Sequence, residues 1–433
     1  MAGELILDAA DETDGEAPRR LLAAPGDEAP AAARKLLRSG AGPWRQHGVR
    51  LPSEVVTRDI TCDVVVVGSG ITGSLVAETL SRQGLSVVVV DRFDSGTGST
   101  AASTAMLLWE IDTPLSDLSE RIGFERASAV YKRSHAAVAD LATLVAETAI
   151  RCDFAPRASL YVTGAESSRD DLASEFALRE RAGLPGRFLE RGRLADDFEI
   201  DRAAAILSPG SAEADPVLLA NGLLQLALRN GARLIEDQVV AYDWDSRAAH
   251  VRLAGGAGIE ARQIVLATGY TMPDFVVSSL HQIASTWCFS TEPMPEDRHW
   301  QGKVLIWEDS EPYLYTRSGP AGQLIVGGED QTTTGLAMRD ALTEAKIASL
   351  VAKMQALWPR APYDIANVWS AEFGETEDGL PLIGRVPGAP RCLAAYGYGG
   401  NGITFSYMAS RIIAALIAGE TRPWFDEFAL DRA

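Results

Sequence analysis

The order of elements in residues 62–92 constrains the fold more than any other part of the chain. Val64–Val67 is a continuous β-branched run, which is typical of a parallel strand covered on both faces. A glycine-rich turn follows, then an amphipathic helix predicted from about Thr72 to Gln83, and a second apolar strand, Ser86–Val90. A strand, turn, helix and strand in this order predict an α/β fold with a parallel sheet.

The glycines of the turn have the spacing of a dinucleotide-binding motif. Gly68 permits the tight turn, Gly70 lets a phosphate approach the backbone, and Gly73 lets the helix pack closely on the strand. Asp91 lies 18 residues after Gly73, where a carboxylate can accept hydrogen bonds from ribose hydroxyls. GxGxxG alone also occurs in ordinary loops, but its context here favours a bound dinucleotide.

Composition limits the partners of the chain. The 433 residues carry a net charge of −19 and are 46% hydrophobic, so the core is large and the surface acidic. The negative charge argues against nucleic acid and anionic membranes as partners. A small-molecule substrate remains, and the charge weakly favours a cationic one. No run of 18 apolar residues exists in the sequence, so no membrane span is predicted. Oligomeric state is left open.

The four cysteines indicate the redox compartment. Cys62, Cys152, Cys288 and Cys392 are far apart and form no CxxC pair, as expected of reduced thiols in a cytoplasmic protein. The five histidines form no cluster with them, so no metal site is predicted.

Patterning along the chain predicts a discontinuous organisation. Segments rich in α/β character return at three places, with alternating strands between them. The fold class is therefore α/β, a discontinuous Rossmann-like cofactor domain with an inserted antiparallel-sheet substrate domain. The predicted parts are a disordered or loosely attached extension at 1–40, a cofactor domain at 41–150, 206–275 and 370–425, and a substrate domain at 151–205 and 276–369.

A second cluster of small and hydroxyl-bearing residues spans Gly96–Met106. Such a composition suits a flexible loop. It also suits a segment packed against a cofactor, with the hydroxyls of Ser99, Thr100, Ser103 and Thr104 donating to its oxygens. Its position directly after the ribose-binding acid favours the second interpretation.

Three separated motifs together resemble one family. They are the opening motif, Ile264–Tyr270, and Asp378–Gly384 followed by Tyr398–Thr404. The combination resembles FAD-dependent oxidoreductases of the D-amino-acid oxidase superfamily, a group that includes glycine oxidase and sarcosine oxidase, over about residues 45–425. The resemblance implies FAD as the cofactor, and no second strand–GxGxxG–helix unit is found for a nicotinamide partner.

The C-terminal glycine turn has a physical reason to lie at the flavin. Asn401–Gly402 opens a helix predicted over 403–418, whose N–H groups stabilise the negative charge that develops on the flavin during reduction. An ordinary helix cap is the alternative. The full set of predicted cofactor-binding residues is Gly68, Gly70, Ile71, Thr72, Gly73, Asp91, Arg92, Ser99, Thr100, Ser103, Thr104, Val239, Thr268, Gly269, Gly400, Asn401, Gly402, Ile403 and Thr404.

Two arginines that the family uses to clamp a substrate carboxylate are missing. Phe373 stands at the match of the first arginine and Gly400 at the match of the second. Without Arg a bidentate carboxylate site is chemically poor, so a free α-amino acid is disfavoured as the substrate.

Other side chains are candidates for the substrate pocket. Tyr313, Tyr315 and Arg317 alternate along one strand and share a face, although packing on the core or a turn would explain them equally. Glu372 or Glu375 could bind an ammonium group or simply be solvated. Trp287 is a candidate aromatic wall, and a buried core position is the alternative.

The chemistry implied by the resemblance is hydride transfer from a C–H next to nitrogen to flavin N5, which makes the chain an FAD-dependent amine oxidoreductase. Three alternatives stay open: a hydroxy-acid dehydrogenase with Arg317 at the carboxylate, an NAD-binding enzyme or sensor, and a flavoprotein without turnover. No Lys occurs between Tyr270 and Lys303, and no Cys or His within 96–106, so neither a nearby lysine for oxygen activation nor covalent flavin attachment in that segment is expected.

Overall fold

Nineteen strands were found in the part of the chain that the structure, a computed structural model, describes: residues 22–23, 38–46, 50–164, 166–332, 335–360 and 363–432. In chain order they are β1 Leu22–Ala23, β2 Arg38–Gly40, β3 Ile60–Val67, β4 Val87–Asp91, β5 Met106–Leu107, β6 Ala155–Thr163, β7 Arg187–Glu190, β8 Ala204–Glu213, β9 Arg233–Glu236, β10 Val239–Trp244, β11 Ala249–Leu253, β12 Gly258–Leu266, β13 His281–Thr291, β14 Leu305–Asp309, β15 Leu314–Ser318, β16 Leu324–Gln331, β17 Ile365–Thr376, β18 Leu382–Val386 and β19 Ala389–Tyr396.

Helices of the same part of the chain pack on the sheets that these strands form. In chain order they are α1 Ile71–Arg82, α2 Leu115–Ile122, α3 Phe124–Thr148, α4 Arg169–Arg181, α5 Arg191–Phe198, α6 Pro216–Arg229, α7 Leu336–Leu357 and α8 Gly402–Ile417. None of the helices in the described residues is long and apolar enough to cross a bilayer.

The first sheet has the predicted parallel centre. β12, β3, β4 and β9 pair in parallel, and β19 joins the other side of β12 in parallel. β10 and β11 extend this sheet antiparallel beyond β12. Val64–Val67 and Val87–Val90 are buried because helices cover one face and a second apolar cluster covers the other. The predicted strand–helix–strand unit is confirmed.

The second sheet is mainly antiparallel and has the order β2-β17-β13-β16-β15-β14-β6-β8-β5, with β7 beside β8. It differs from the prediction in one pair, because β14 runs parallel to β6. Helix α7 covers one of its faces, where Leu350 and Met354 pack with Trp287 and Val326.

The predicted boundaries at 206 and 370 fall inside β8 and β17, which belong to the second sheet. The domain division itself stays a prediction. Within the predicted extension 1–40, Leu22–Ala23 pairs with β10 and Arg38–Gly40 pairs with β17, while the rest lies outside the described residues. All four cysteines are free, as expected of reduced thiols.

Candidate active site

One cleft of about 300 Å³ brings the separated motifs together. Its lining includes the residues that follow β3, β4, β12 and β19 at the carboxyl edge of the first sheet, together with side chains from β13, β15, β16 and β17 of the second sheet. The carboxyl edge of an α/β sheet is where ligands bind, because loops of neighbouring strands converge there.

The glycine turn forms the cradle that the sequence predicts. Gly68 has a φ of +107°, and a Cβ on Gly73 would collide with the carbonyl oxygen of Gly68, so only glycine lets α1 start this close to β3. Gly70 is the N-cap of α1 and offers no capping side chain. Gly70, Ile71 and Thr72 line the cleft, so the first turn of α1 presents its positive end to a ligand.

Asp91 is fixed where the ribose acid is expected. Its carboxylate accepts hydrogen bonds from Ser69, through the backbone N–H at 2.7 Å and the hydroxyl at 2.8 Å, and from the Phe93 N–H at 2.9 Å. Burial raises the pKa of Asp91, and the hydrogen bonds from Ser69 oppose that rise. Arg92 and Val239 also line the cleft.

The hydroxyl-rich segment is anchored against the cleft, as its second interpretation expects. Ser99–Ala102 forms a short 3₁₀ helix, and Thr100 Oγ1 accepts a hydrogen bond of 3.0 Å from the N–H of Ile71. Trp44 Nε1 and Trp369 Nε1 donate to the carbonyls of Ser103 and Ala102. Predicted residues on this wall and on the neighbouring β12 edge all line the cleft, namely Ser99, Thr100, Ser103, Thr104, Thr268 and Gly269.

The C-terminal turn is far from Asp91 in the sequence, yet it lines the same cleft. Gly400, Gly402 and Ile403 line it. The N–H of Gly400 donates to Asp112 Oδ2 at 2.5 Å, and burial raises the pKa of Asp112. The start of α8 therefore lines the cleft, and its contact with a flavin stays a prediction.

Asn401 and Thr404 were predicted to contact the cofactor, but their side chains bind backbone carbonyls. Neither lines the cleft. Asn401 Nδ2 donates to the carbonyl of Glu110 at 2.7 Å, and Thr404 Oγ1 donates to the carbonyl of Leu108 at 2.8 Å. Their side chains tie the turn to the chain at 108–112, which positions Gly400 and Asp112. Gly73 likewise acts through packing and does not line the cleft.

The two tyrosines that the sequence suggests for the substrate pocket lie beside each other in the cleft. Tyr313 and Tyr315 have ring centroids 5.5 Å apart, and the hydroxyl of Tyr315 lies 3.4 Å from Thr286 Oγ1 and 3.8 Å from Cys288 Sγ. Burial raises the pKa of both phenols well above the usual value, so both are neutral hydrogen-bonding groups near pH 7.

Trp287 and Arg317 do not reach the cleft. Trp287 is fully buried on the α7 side of the second sheet, where its Nε1 donates to the carbonyl of Arg339. Arg317 faces the predicted side of β15, but Thr104 and Ala214 cover it there and accept its hydrogen bonds at 2.7 and 2.9 Å. Its third nitrogen lies 3.1 Å from Glu213. It therefore stabilises the wall and leaves no free guanidinium for a substrate.

Glu372 lines the cleft but is paired. Its Oε1 lies 3.0 Å from Arg339 Nη1 and accepts the N–H of Gly335 at 3.1 Å. Phe373, at the match of the missing arginine, also lines the cleft. Among the described lining residues, Arg92 is the only cationic side chain, so the substrate end has no carboxylate clamp.

The sequence analysis missed several lining residues of this end, among them Asp112, Trp307, Tyr270 and Asp330. Trp307 stacks on Tyr161 with centroids 3.9 Å apart. An inward position on the predicted strand Val304–Trp307 could have pointed to Trp307. No sequence signal marks the other three, because they follow strands or lie in an irregular strand.

The residues present fit FAD. The free N–H groups of a helix start without a side-chain cap can donate to pyrophosphate oxygens. A Cβ on Gly70 would project toward the open cleft, with only Thr100 Oγ1 near it. Asp91 is hydrogen-bonded to Ser69 beside that helix start, and Gly402 and Ile403 at the start of α8 line the same cleft.

Comparisons with known proteins agree with this geometry. The model of the DAO family, described as FAD dependent oxidoreductase, matches residues 63–416. Gamma-glutamylputrescine oxidoreductase of Escherichia coli (strain K12) is 26% identical over 387 residues, which cover 87% of this chain and 88% of the relative. The crystal structure of glycine oxidase from Geobacillus kaustophilus superposes with a TM-score of 0.71 at 22% identity, covering 86% of this chain and 99% of that one. The structure of L-amino acid deaminase from Proteus myxofaciens in complex with anthranilate gives a TM-score of 0.73 at 15% identity, with 92% and 98% covered.

Proposed function

The chain belongs to the DAO family of FAD dependent oxidoreductases, and on that premise we propose that it oxidises the C–N bond of an amine-type substrate. One observation carries the proposal: the α1 start, the α8 start and the two tyrosines line a single cleft. FAD bound there supplies a two-electron acceptor for the hydride of the C–H next to nitrogen.

The chain's own residues position the substrate and exclude water. Tyr313, Tyr315, Trp307 and Phe373 give the substrate end an aromatic lining. Flat, rigid side chains of this kind hold the reacting carbon in one orientation at small entropic cost. The neutral phenols can donate to or accept from a substrate amine without exchanging a proton.

The amine class is supported by the absence of a carboxylate clamp. Glycine oxidase and L-amino acid deaminase are named for amino acids, whereas gamma-glutamylputrescine oxidoreductase is named for an amine-bearing compound. In this chain Phe373 and Gly400 stand where the family's arginines are expected. An amine without a neighbouring carboxylate therefore fits the cleft better than an α-amino acid.

A hydroxy-acid dehydrogenase would need a cation at the substrate end. Its candidate was Arg317, whose nitrogens are committed to Thr104, Ala214 and Glu213. This observation disfavours the alternative. We also propose a cytoplasmic location, which the four free, scattered cysteines support.

Anaerobic bleaching of the flavin by a panel of amines, amino acids and hydroxy acids tests the proposal. Oxidised flavins absorb near about 450 nm, and a substrate of the right class removes that band without oxygen. Amines are expected to bleach the holoenzyme fastest. Bleaching by hydroxy acids alone would show that the reaction class is wrong.

A further inference from the structure

An extra residue in β16 changes which side chain the second sheet presents to the cleft. Trp287 of β13 pairs with Gly328 of β16, but Ser285, two residues earlier, pairs with Gln331, three residues later. The additional residue is a β-bulge beside the cleft. Bulges of this kind re-aim side chains, and here the residue affected is Asp330.

The bulge exchanges the faces of Glu329 and Asp330. Val326 faces α7, so regular alternation would send Glu329 to the cleft and Asp330 to α7. Instead Glu329 has a left-handed φ of +59° and reaches α7, where Lys353 Nζ lies 2.6 Å from its carboxylate. Asp330 lines the cleft near Thr286.

The strained backbone of Glu329 is held in place by its partners. A left-handed conformation at a non-glycine residue costs on the order of 1–3 kcal/mol and persists only where the surroundings enforce it. Besides Lys353, Ser349 Oγ donates to Glu329 at 2.9 Å and Lys346 Nζ donates to its carbonyl oxygen at 2.9 Å. Three contacts from one helix thus fix the orientation of Asp330.

Asp330 has no ion-pair partner among the described residues. Its Oδ1 is buried without a hydrogen-bond partner, and none of the ion pairs among the described residues includes Asp330. Burial raises its pKa to about 7; hydrogen bonding from Thr286 and Tyr313 lowers it, and the negative charges of Asp112 and Glu375 raise it further. A carboxylate in this state is expected to bind a cation strongly.

The other charged groups that line the cleft have different partners. Glu372 is paired with Arg339, and Asp112 accepts the N–H of Gly400 at 2.5 Å. Arg92, the cationic side chain of the described lining, follows Asp91 at the ribose end. The substrate end is therefore negative: neither Asp330 nor Asp112 has an ion pair among the described residues, and Asp330 also has a carboxylate oxygen without a hydrogen-bond partner.

We propose that Asp330 binds the ammonium group of the substrate and accepts its proton, so that the substrate is an amine with no carboxylate on the carbon that bears the nitrogen. The inference rests on the proposed function. It adds the group that recognises the substrate and the class of amine that the cleft accepts.

The proton transfer balances with Asp330 as the acceptor, and the oxidation needs only FAD and water. The ammonium R₂CH–NH₃⁺ transfers one proton to the Asp330 carboxylate, giving R₂CH–NH₂ and a carboxylic acid. FAD, held at the starts of α1 and α8, would take the hydride as the C–H bond breaks and the nitrogen lone pair forms the C=N⁺ bond. Water would then hydrolyse this iminium to a carbonyl compound and an ammonium ion. Proton removal must come first, because a protonated nitrogen has no lone pair to form that bond.

Matched pairs of ligands test the charge preference on the holoenzyme. Methylamine, n-butylamine and benzylamine are compared with acetate, pentanoate and phenylacetate, through the change that each ligand produces in the flavin spectrum. The wild type is expected to bind each amine more tightly than its carboxylate partner. Asp330→Asn should weaken amine binding roughly 10- to 100-fold, the usual range for a hydrogen bond to a charged group, and strengthen carboxylate binding.

Glu377→Gln is the matched control, because it removes one negative charge from a side chain that is 81% exposed and outside the cleft. It should leave both affinities unchanged. Flavin content of each variant reports folding, and a gain in carboxylate affinity cannot come from unfolding. The proposal is wrong if the wild type prefers the carboxylates or responds to none of the amines, or if Asp330→Asn leaves the amine-to-carboxylate ratio within twofold.

The pH dependence of amine binding gives a second measurement. Binding should strengthen as the pH rises through about 7 in the wild type, because the carboxylate must lose its proton, and this inflection should vanish in Asp330→Asn. The comparison with the variant is needed because other titratable or charged groups face Asp330 or lie behind it: Asp112, Glu375, Glu372, Arg339, Tyr313, Tyr315, Cys288, Glu329, Lys346 and Lys353. An inflection that persists in the variant assigns the titration to one of them and contradicts the proposal.

The two proposals fail in different ways. If hydroxy acids alone bleach the flavin, the amine function is wrong. If amines bleach the wild type and Asp330→Asn at equal rates, the function stands and only the role of Asp330 is wrong.

Discussion

Replacing Gly70 with Val is expected to separate folding from cofactor binding. The backbone of Gly70 has φ −70° and ψ −170°, a conformation that any L-residue adopts. A Cβ there would have one neighbour within 4 Å, Thr100 Oγ1 at 3.1 Å, so the apoprotein should fold with little loss of stability. The added methyl groups would instead occupy the approach to the first turn of α1.

The expected loss of affinity follows from the hydrogen bonds that the pyrophosphate can no longer make. Blocking two charge-assisted bonds, each contributing about 1.5–3 kcal/mol, costs roughly 3–6 kcal/mol. That corresponds to about 10²- to 10⁴-fold weaker FAD binding.

Fluorescence titration of apoprotein with FAD measures this change. Gly192→Ala in α5 is a suitable control, because a Cβ there meets no atom within 4 Å and the residue is remote from the cleft. It should bind FAD as the wild type does. A Gly70→Val protein that purifies yellow and fully loaded would refute the assignment of the α1 start to the pyrophosphate.

Three further substitutions probe the wall, the pocket and the C-terminus. Tyr315→Phe should change turnover or substrate preference at unchanged FAD content, with Tyr363→Phe as the remote control; unchanged kinetics on the true substrate would place Tyr315 in the core. Arg317→Met breaks a buried ion pair and two hydrogen bonds and should lower the free energy of unfolding by about 3 kcal/mol, measured by denaturant titration of the apoprotein. Burial disfavours the charge of Asp378, but hydrogen bonds from Arg432 outweigh it and hold its pKa below the usual value. Asp378→Asn should therefore lower the unfolding temperature at pH 7, and the difference should shrink below about pH 4, as Asp378 becomes protonated in the wild type; a constant difference down to pH 2 would contradict the role of this pair.

The nucleotide half of the site follows directly from local sequence. Strand, turn, helix and acid are consecutive in the chain, and each has its own signature, so Gly68, Gly70 and Asp91 could be placed without knowledge of the tertiary structure. The hydroxyl-rich segment and the C-terminal turn required the resemblance, because a glycine-rich turn alone does not say what it faces. Asn401 and Thr404 show the limit of such a resemblance. Their residue types helped to indicate the family, but their side chains bind backbone carbonyls.

The substrate half depends on features that alternation does not encode. Two-residue periodicity correctly placed Tyr313 and Tyr315 on the strand face that borders the cleft. It also placed Arg317 on that face, but it could not show that another segment of the chain covers Arg317 there. The same rule applied to β16 would select Glu329. A bulge with a non-glycine residue in the left-handed region leaves no mark in the pattern, and so Asp330 was missed.

The pairing of β12 with both β3 and β19 has a consequence for the order in which this enzyme matures. During synthesis the glycine turn leaves the ribosome early, while β19 and α8 follow more than 300 residues later. Thr72 of α1 can form its hydrogen bond with Ser406 of α8, 2.7 Å away in the folded protein, only after α8 has been synthesised. We therefore expect flavin to bind tightly only near the end of translation, and a nascent chain stalled before α8 should be colourless.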